Sequence, residues 1–497
     1  MLEHIAFYSD TKPDFPFIVF GKNQLSYYQA YGKINALAEY LSKNGMVEGQ
    51  NIGVLMPSVP EFVLTYFGIL RAGGTPVLLN PALPHSDLAS VASKLHLDII
   101  VYFDEYQKIV TEMEYRRNLP SKKILFSKTP NENPNSLATI FRSDVYPLAG
   151  EKIGSNHAET IFLTSGTTNR FIRPVIFPHE NLKKNAHNLL SVIQDKGNVR
   201  MLSTFPLASP FSHFMMIDPI ILSGNTMVLA NGFSPEIVSA TFSDEKVDFL
   251  LTFPEYMKKL LSVTSATEKQ MALSKCFSTG DYLPVSLLQK FEEKYQVPVL
   301  EVYGSTETGI VSINANRFER IIGSVGKLLT HEAIRIVNDY NAEVPEETEG
   351  ELWIDRSFIF TGYLEDHPHN ISSSDRWFPT GDIVRMDSGG YLYFISRKSD
   401  RILRYGYWTH PREIELVIGQ HPKILETFIV PLEKSEKHHT MKLVVVPRQS
   451  ETMTAEEVSS FIQTHLPKYL QPDSIEFIET VERDSTGKVH RNMIDRN

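Results

Sequence analysis

A chain of 497 residues is too long for one ordinary domain, so two or three are expected. Hydrophobic residues make up 42% and charged residues 22%, the balance of a soluble globular protein with a large core. A formal charge of −10 argues against nucleic acid or an anionic membrane as the main partner, yet leaves room for an anionic ligand held by local Lys, Arg and backbone N–H groups.

In chain order, the opening residues MLEHIAFYSDTKPD lack the basic-then-apolar plan of a secretory signal. Residues 25–45 predict a helix capped by Ser26 and closed by Gly45. Asn51–Met56 then reads as strand, Pro60–Ala72 as helix and Thr75–Leu79 as strand, the βαβ rhythm of a parallel sheet. Apolar runs such as Phe62–Leu70 are far too short to span a bilayer. Ser86–Lys94 and Asp98–Phe103 repeat the rhythm as helix and strand. From Pro120 to Ser155 the chain is polar and rich in Pro and Asn, which predicts a surface connection. The alternation resumes at Thr160–Leu163 and continues through Met201–Phe205, Ile217–Leu222, Thr226–Leu229, Phe249–Thr252 and Val299–Val302. Cys276, the single cysteine, excludes an intrachain disulfide and fits a reducing compartment. Gly323–Tyr393 brings closely spaced strands with few helices, an all-β patch. The tail reads as helix Arg412–Gly419, strand Lys442–Val446, helix Ala455–Leu466 and strand Ser474–Ile478.

Four stretches concentrate chemistry. Thr164-Ser165-Gly166-Thr167-Thr168-Asn169-Arg170 follows an apolar strand and offers hydroxyls and backbone N–H groups to an anion, with arginines at 170 and 173 to neutralise it. Most such runs are plain flexible loops, and no Gly-Lys-Ser/Thr follows to make it a P-loop. Tyr303-Gly304-Ser305-Thr306-Glu307 after Val299–Val302 offers a ring for a nucleobase, a hydroxyl for phosphate and a carboxylate for Mg²⁺. Within Trp377–Glu415, Asp382 could hold a sugar diol and Arg397 follows close behind. There Arg397, Lys398, Asp400, Arg401 and Arg404 crowd together between a long α/β region and a short tail, where a joint would sit. Near the C-terminus Lys488 ends an Asp-Ser-Thr-Gly-Lys turn; taken alone it is one more surface lysine.

The ordered set TSGTT, YGSTE, FPTGD, R…DRILRYG…PREIE and STGK resembles the signature series of the adenylate-forming superfamily, over nearly the whole chain. The family holds acyl- and aryl-CoA synthetases, stand-alone adenylation enzymes, peptide-synthetase adenylation domains and luciferases. The resemblance implies an α/β fold: a large N-terminal domain of packed βα sheets with a β-rich patch, residues 1–396, and a small mobile α/β C-terminal domain, residues 397–497. It implies that Thr164, Ser165, Gly166, Thr167 and Thr168 cover the ATP phosphates, that Tyr303 lies on adenine, that Thr306 contacts the α-phosphate and that Glu307 binds Mg²⁺. Asp382 and Arg397 match the ribose-binding positions, and Lys488 the lysine that reaches the reacting carboxylate and α-phosphate. Ser399 falls at the family's hinge position, with Asp400 next to it. In this picture rotation of the C-terminal domain presents the face Tyr405–Trp408 to a thiol channel.

Departures from the family pattern are local. Asn169 replaces a loop glycine, and the Pro-Lys-Gly that usually follows is missing, with Arg170 or Arg173 as stand-ins for its lysine. In the acyl pocket Ser209 takes a place often held by His, and His213 lies one helical turn on. Phe205, Phe211, Phe214, Met215 and Met216 make that segment strongly apolar, whether as core or as pocket wall. No Asp stands where α-amino-acid-activating domains bind the substrate ammonium, so an aliphatic or aryl acid is expected. Thr279-Gly280-Asp281 replaces the usual Gly-Gly-Ala: Thr279 narrows the pocket floor beside Gly304, while Gly280 and Asp281 border the nucleotide.

The expected function is ATP-dependent activation of a carboxylic acid through an acyl adenylate, then transfer to coenzyme A. Two alternatives stay open: loading of a carrier-protein phosphopantetheine, and a non-catalytic nucleotide-binding homologue with an altered phosphate loop. The expected cofactors and partners are ATP, Mg²⁺, a small carboxylic acid, and CoA or an acyl carrier protein. Neither nucleic acid nor membrane insertion is expected. A cytoplasmic setting is, and a homodimer is the expected assembly, though no particular residue argues for it.

Overall fold

The first long helix, Tyr27–Lys43, starts where the sequence says it should. Ser26 Oγ accepts from Gln29 N, and the Gln29 side chain accepts from Ser26 N, a reciprocal cap that contributes about 1 kcal/mol. Beyond it the computed structural model describes residues 1–97, 99–117, 122–126, 136–141, 158–164, 172–193, 197–263, 272–315, 320–329, 334–364, 376–405, 407–434, 439–448, 453–481, 483, 489 and 494. The chain divides into two compact units: Met1–Ala333 with Asp355–Trp377, and Ile334–Ile354 with Phe378–Asn497.

The larger unit is built on two sheets. One runs, from edge to edge, Gly362–Tyr363, Pro174–Pro178, Glu159–Leu163, Thr75–Leu78, Asn51–Leu55, Ile99–Phe103 and Lys122–Phe126. Its strands from Glu159–Leu163 onward are parallel, as the βαβ rhythm requires. Helix Pro60–Arg71 is buried from Phe62 to Leu70, each large apolar side chain being worth about 1.5–3 kcal/mol of burial. Gly68 lets it approach helix Tyr27–Lys43, because a Cβ there would sit 2.8 Å from Leu37 Cδ2. The second sheet runs Lys327–Leu328, Gly309–Ile313, Val299–Ser305, Lys275–Ser278, Phe249–Thr252, Arg200–Ser203, Thr226–Leu229, Pro16–Phe20 and Asn23–Ser26. Its centre is parallel, and open α/β sheets of this kind keep ligands at the strand ends.

The smaller unit combines an antiparallel sheet in the order Ile334–Val337, Gly350–Asp355, Trp377–Met386, Leu392–Arg397 with the tail. The tail packs helices Pro411–Ile418 and Ala455–His465 on the sheet Ile424–Lys434, His439–Pro447, Ser474–Phe477. Ile414, Ile418, Ile429, Leu443, Val445 and Val458 are fully buried there.

Two expectations need correction. Ile217–Leu222 is helical, following a π-helical turn His213–Ile217, since an apolar run that short carries no period to separate strand from helix. The polar stretch from Pro120 to Ser155 contains the strand Lys122–Phe126, paired parallel with Ile99–Phe103 as the edge of its sheet. Among the described residues no helix is long and apolar enough to cross a membrane.

Candidate active site

Strand Val299–Ser305 turns back through Thr306, Glu307 and Thr308 into strand Gly309–Ile313. The two strands pair as a hairpin with a bulge between Tyr303 and Gly304. Ser305 N donates to Thr308 Oγ1 at 2.9 Å and Thr308 N donates to Ser305 Oγ at 3.2 Å, so the tip is braced by its own hydroxyls. Gly304 is required: a Cβ there would run into the carbonyl oxygen of Gly309. This geometry leaves Tyr303, Thr306 and Glu307 half-buried at the end of a parallel sheet.

Helix His179–Ile193, to which the sequence reading assigned no element, holds the hairpin and its neighbour. Asn181 Nδ2 donates to Ile359 O at 2.7 Å, and Asn185 Nδ2 to Ile310 O at 3.3 Å. The legible signal was two asparagines four apart, buried beside Leu182, Ala186 and Leu189 on one helical face. From Ile359 the chain reaches Tyr363, which sequence reasoning also missed. Its hydroxyl donates to Glu307 Oε1 at 2.8 Å, and the Arg173 guanidinium lies 3.4 Å from its ring centroid.

Thr164 ends its strand bonded to Arg173: its N–H donates to Arg173 O at 3.1 Å, and Arg173 N donates to Thr164 Oγ1 at 3.2 Å. Those bonds close the base of the segment between them. Ser165, Gly166, Thr167, Thr168 and Arg170 lie outside the described residues, as does Lys488. A triangle of buried Tyr66 and Thr160 with half-buried His179, with contacts of 2.8, 2.9 and 3.2 Å, anchors the strand that leads to Thr164.

The apolar segment lies at the ends of neighbouring strands. Ser209 precedes the short helical turn Pro210–Ser212 and is half-buried, as is Phe211. Phe205 faces Phe211 and Phe253, with centroids 5.7 and 5.0 Å away, and its ring also touches the place where a Cβ on Gly280 would be. Thr279 is buried, and its Oγ1 has no hydrogen-bond partner among the described residues. Asp281 is exposed and accepts from Tyr282 N at 2.7 Å. His213 sits deeper, fully buried between the rings of Tyr66 and Phe162, with neither ring nitrogen partnered among the described residues. Burial pushes its pKa down to about 3.

In the smaller unit, strand register places Asp382 opposite Arg397, and Arg397 Nη1 stands 2.8 Å from Asp382 Oδ1. The approach is off the N–H axis, so the contact is chiefly charge on charge. Asp382 is almost wholly buried, and its N–H donates to Thr380 Oγ1 at 3.1 Å. Ser399 Oγ bonds Asp400 Oδ1 at 3.0 Å within the turn Lys398–Asp400. Lys398 pairs with Glu351 at 2.8 Å and Arg401 with Asp339 at 3.1 Å. A chain not foreseen from the sequence runs from Ser396 Oγ to His410 Nδ1, 2.7 Å, and from His410 Nε2 to Glu349 Oε2, 3.2 Å. The hydrogen bond from His410 holds the Glu349 carboxyl below the usual carboxylate range.

A divalent cation fits Glu307. Among the described residues no three His, Cys, Asp or Glu side chains gather as a closed metal cage. A single partly exposed carboxylate is how a protein holds Mg²⁺ that also binds a nucleotide's phosphates.

The chain is 24% identical to an indoleacetate–CoA ligase of Aromatoleum aromaticum, over 99% of this chain and 97% of that one. It is also 24% identical to a long-chain-fatty-acid–CoA ligase of Bacillus subtilis, over 97% of this chain and 91% of the relative. Among solved structures, the anthranilate CoA ligase AuaEII in complex with anthranoyl-AMP matches with a TM-score of 0.88 at 19% identity, covering 99% of this chain and 96% of that one. The sequence profile of the AMP-binding enzyme matches residues 6–364, and that of the AMP-binding enzyme C-terminal domain matches 413–488. This chain belongs to the AMP-binding enzyme family, the adenylate-forming enzymes.

Proposed function

We propose that this enzyme activates a small aliphatic or aryl carboxylic acid with ATP and passes the acyl group to the thiol of coenzyme A. The observation that carries the reading is the braced hairpin tip, which sets Thr306 and Glu307 at the end of a parallel sheet beside the Arg173–Tyr363 stack. The names of the relatives agree on the reaction and differ on the acid, one taking an indole acid and another a long chain.

In the first step an oxygen of the acid attacks the α-phosphorus of ATP, a P–O bond forms, and the α–β anhydride breaks to release pyrophosphate. Both reactants are anionic, so the protein must offset their repulsion. Thr306 contacts the α-phosphate, Tyr303 covers the adenine, and Gly280 and Asp281 border the base. Asp382 and Arg397 hold the ribose once their mutual contact opens to the hydroxyls. Lys488 brings positive charge to the reacting oxygens; losing one such contact typically costs on the order of 10²–10³ in rate. Glu307 would hold Mg²⁺, which would supply charge neutralisation. In the second step the thiol sulfur attacks the acyl carbon, a C–S bond forms, the acyl–phosphate C–O bond breaks, and AMP leaves while the thiol proton passes to solvent.

The aromatic cluster of Phe205, Phe211, Phe214 and Phe253 supports an apolar acid, with Thr279 as its polar floor. Residues 397–497 act as the mobile part, turning about Ser399 and Asp400. A cytoplasmic setting suits Cys276, whose buried thiol is pushed well above its ordinary pKa. Acid-dependent exchange of labelled pyrophosphate into ATP, screened over aliphatic and aryl acids, tests the reading. Exchange with at least one acid, followed by thioester on adding CoA, is expected. No exchange with any acid would leave a nucleotide-binding homologue, and thioester only with a carrier protein would replace CoA as acceptor.

A further inference from the structure

Tyr363 sits where two site segments meet. Gly362 and Tyr363 pair antiparallel with Ile176 and Val175, just past the segment that closes at Thr164 and Arg173. Phe360 N, three residues earlier, donates to Glu307 O at 3.0 Å. The Tyr363 hydroxyl then reaches the same residue's carboxylate, donating to Oε1 at 2.8 Å. Oε2 has no hydrogen-bond partner among the described residues. On its other side the ring is covered by the Arg173 guanidinium at 3.4 Å and meets Phe360 edge-on at 5.0 Å.

A carboxylate bound at one oxygen cannot turn about its last bond without losing that contact, so the hydroxyl selects one rotamer and leaves the second oxygen for another ligand. A planar cation stacked on a ring restricts the ring that carries the hydroxyl. We propose that Tyr363 is a positioning residue that aims the Glu307 carboxylate at the cation bound with ATP, and that Arg173 is the clamp on Tyr363. The inference rests on the adenylate-forming reading and adds two residues to it. Partners standing behind a metal ligand typically control its affinity by about 10- to 100-fold, and Tyr363 stands in that relation to Glu307.

The test is Mn²⁺ affinity, read by electron paramagnetic resonance in the presence of saturating α,β-methylene ATP, for the full chain and two variants. Tyr363→Phe keeps the ring under Arg173 and removes only the donor, so it should weaken Mn²⁺ about tenfold. Its metal-free nucleotide affinity and thermal midpoint should match the parent. Its KM for Mg²⁺ should rise while kcat recovers at saturating metal, a split that a general loss of structure would not give. Arg173→Leu keeps the hydroxyl and loosens it, for a loss of about threefold. Parental Mn²⁺ affinity in Tyr363→Phe would overturn the positioning role, and parental affinity in Arg173→Leu would overturn the clamp. Failure of the parent enzyme itself to bind Mn²⁺ with nucleotide would overturn the adenylate-forming reading, so the two failures are told apart by which protein shows them.

Discussion

His213 and Asp218 are buried and His179 is half-buried, and loss of solvent moves each away from its ordinary titration range. Both histidines fall from 6.5 to about 3, so the folded chain lacks two protons that the unfolded chain takes up below pH 6.5. Their contribution is therefore full above that pH and is lost as the pH drops toward 3, at up to about 1.4 kcal/mol per pH unit each. Asp218 rises from 3.8 to about 7 and has the opposite sign: the folded chain keeps a proton that the unfolded chain releases. Between pH 3.8 and 6.5 it cancels one histidine, leaving a net of one. His213→Phe, filling the space between Tyr66 and Phe162, should then flatten the acid limb in that window and remove two unpartnered nitrogens. Urea midpoints at pH 6.5, 5.5 and 4.5 measure it; a limb as steep as the parent's would refute the assignment. The residue was conspicuous in the sequence as a polar group in an apolar run. Its depth was not, because burial depends on Tyr66 and Phe162, which are 147 and 51 positions away.

Among the elements, the hairpin Ile402–Arg404 with Tyr407–Thr409 hangs on one buried guanidinium. Arg404 donates to Asp473 Oδ2 at 2.6 Å, His439 O at 3.0 Å, Gln471 O at 3.1 Å and Tyr469 O at 3.3 Å. Removing a buried charge that serves so many acceptors costs about 3 kcal/mol. Arg404→Met should therefore speed amide exchange in residues 468–473 and at Met441 about a hundredfold, and exchange at the parental rate would show that the carbonyls do not need it. In the sequence Arg404 was one of a cluster of charges that most often marks a solvated face. Elements with a cap and a clear period, such as Tyr27–Lys43 and Pro60–Arg71, were legible to within two residues. The strand Ile424–Lys434 and helix His179–Ile193 were not, because Pro, Thr and Glu interrupt the first and polar Asn and Lys residues the second.

For the molecule as a whole, the chain crosses between its two units near Ala333, Ile354 and Trp377, so the antiparallel sheet belongs with the tail by contact although it is interleaved by sequence. The motifs gave the family because each is a local string; where the units divide depends on packing that no string records. If residues 397–497 serve two reactions in turn, Lys488→Ala should abolish adenylation, read as pyrophosphate exchange, yet spare thioester formation from supplied acyl adenylate. Equal loss of both half-reactions would refute alternation.

Ser396 precedes the turn Lys398–Asp400 and His410 follows it, and they are joined, with Glu349 as the third link. If residues 397–497 turn about Lys398–Asp400, the strap must open first, parting a hydroxyl from an imidazole and an imidazole from a carboxylate. Such a swing would then begin with that unfastening, so the ease of the changeover would be set by residues that never touch substrate.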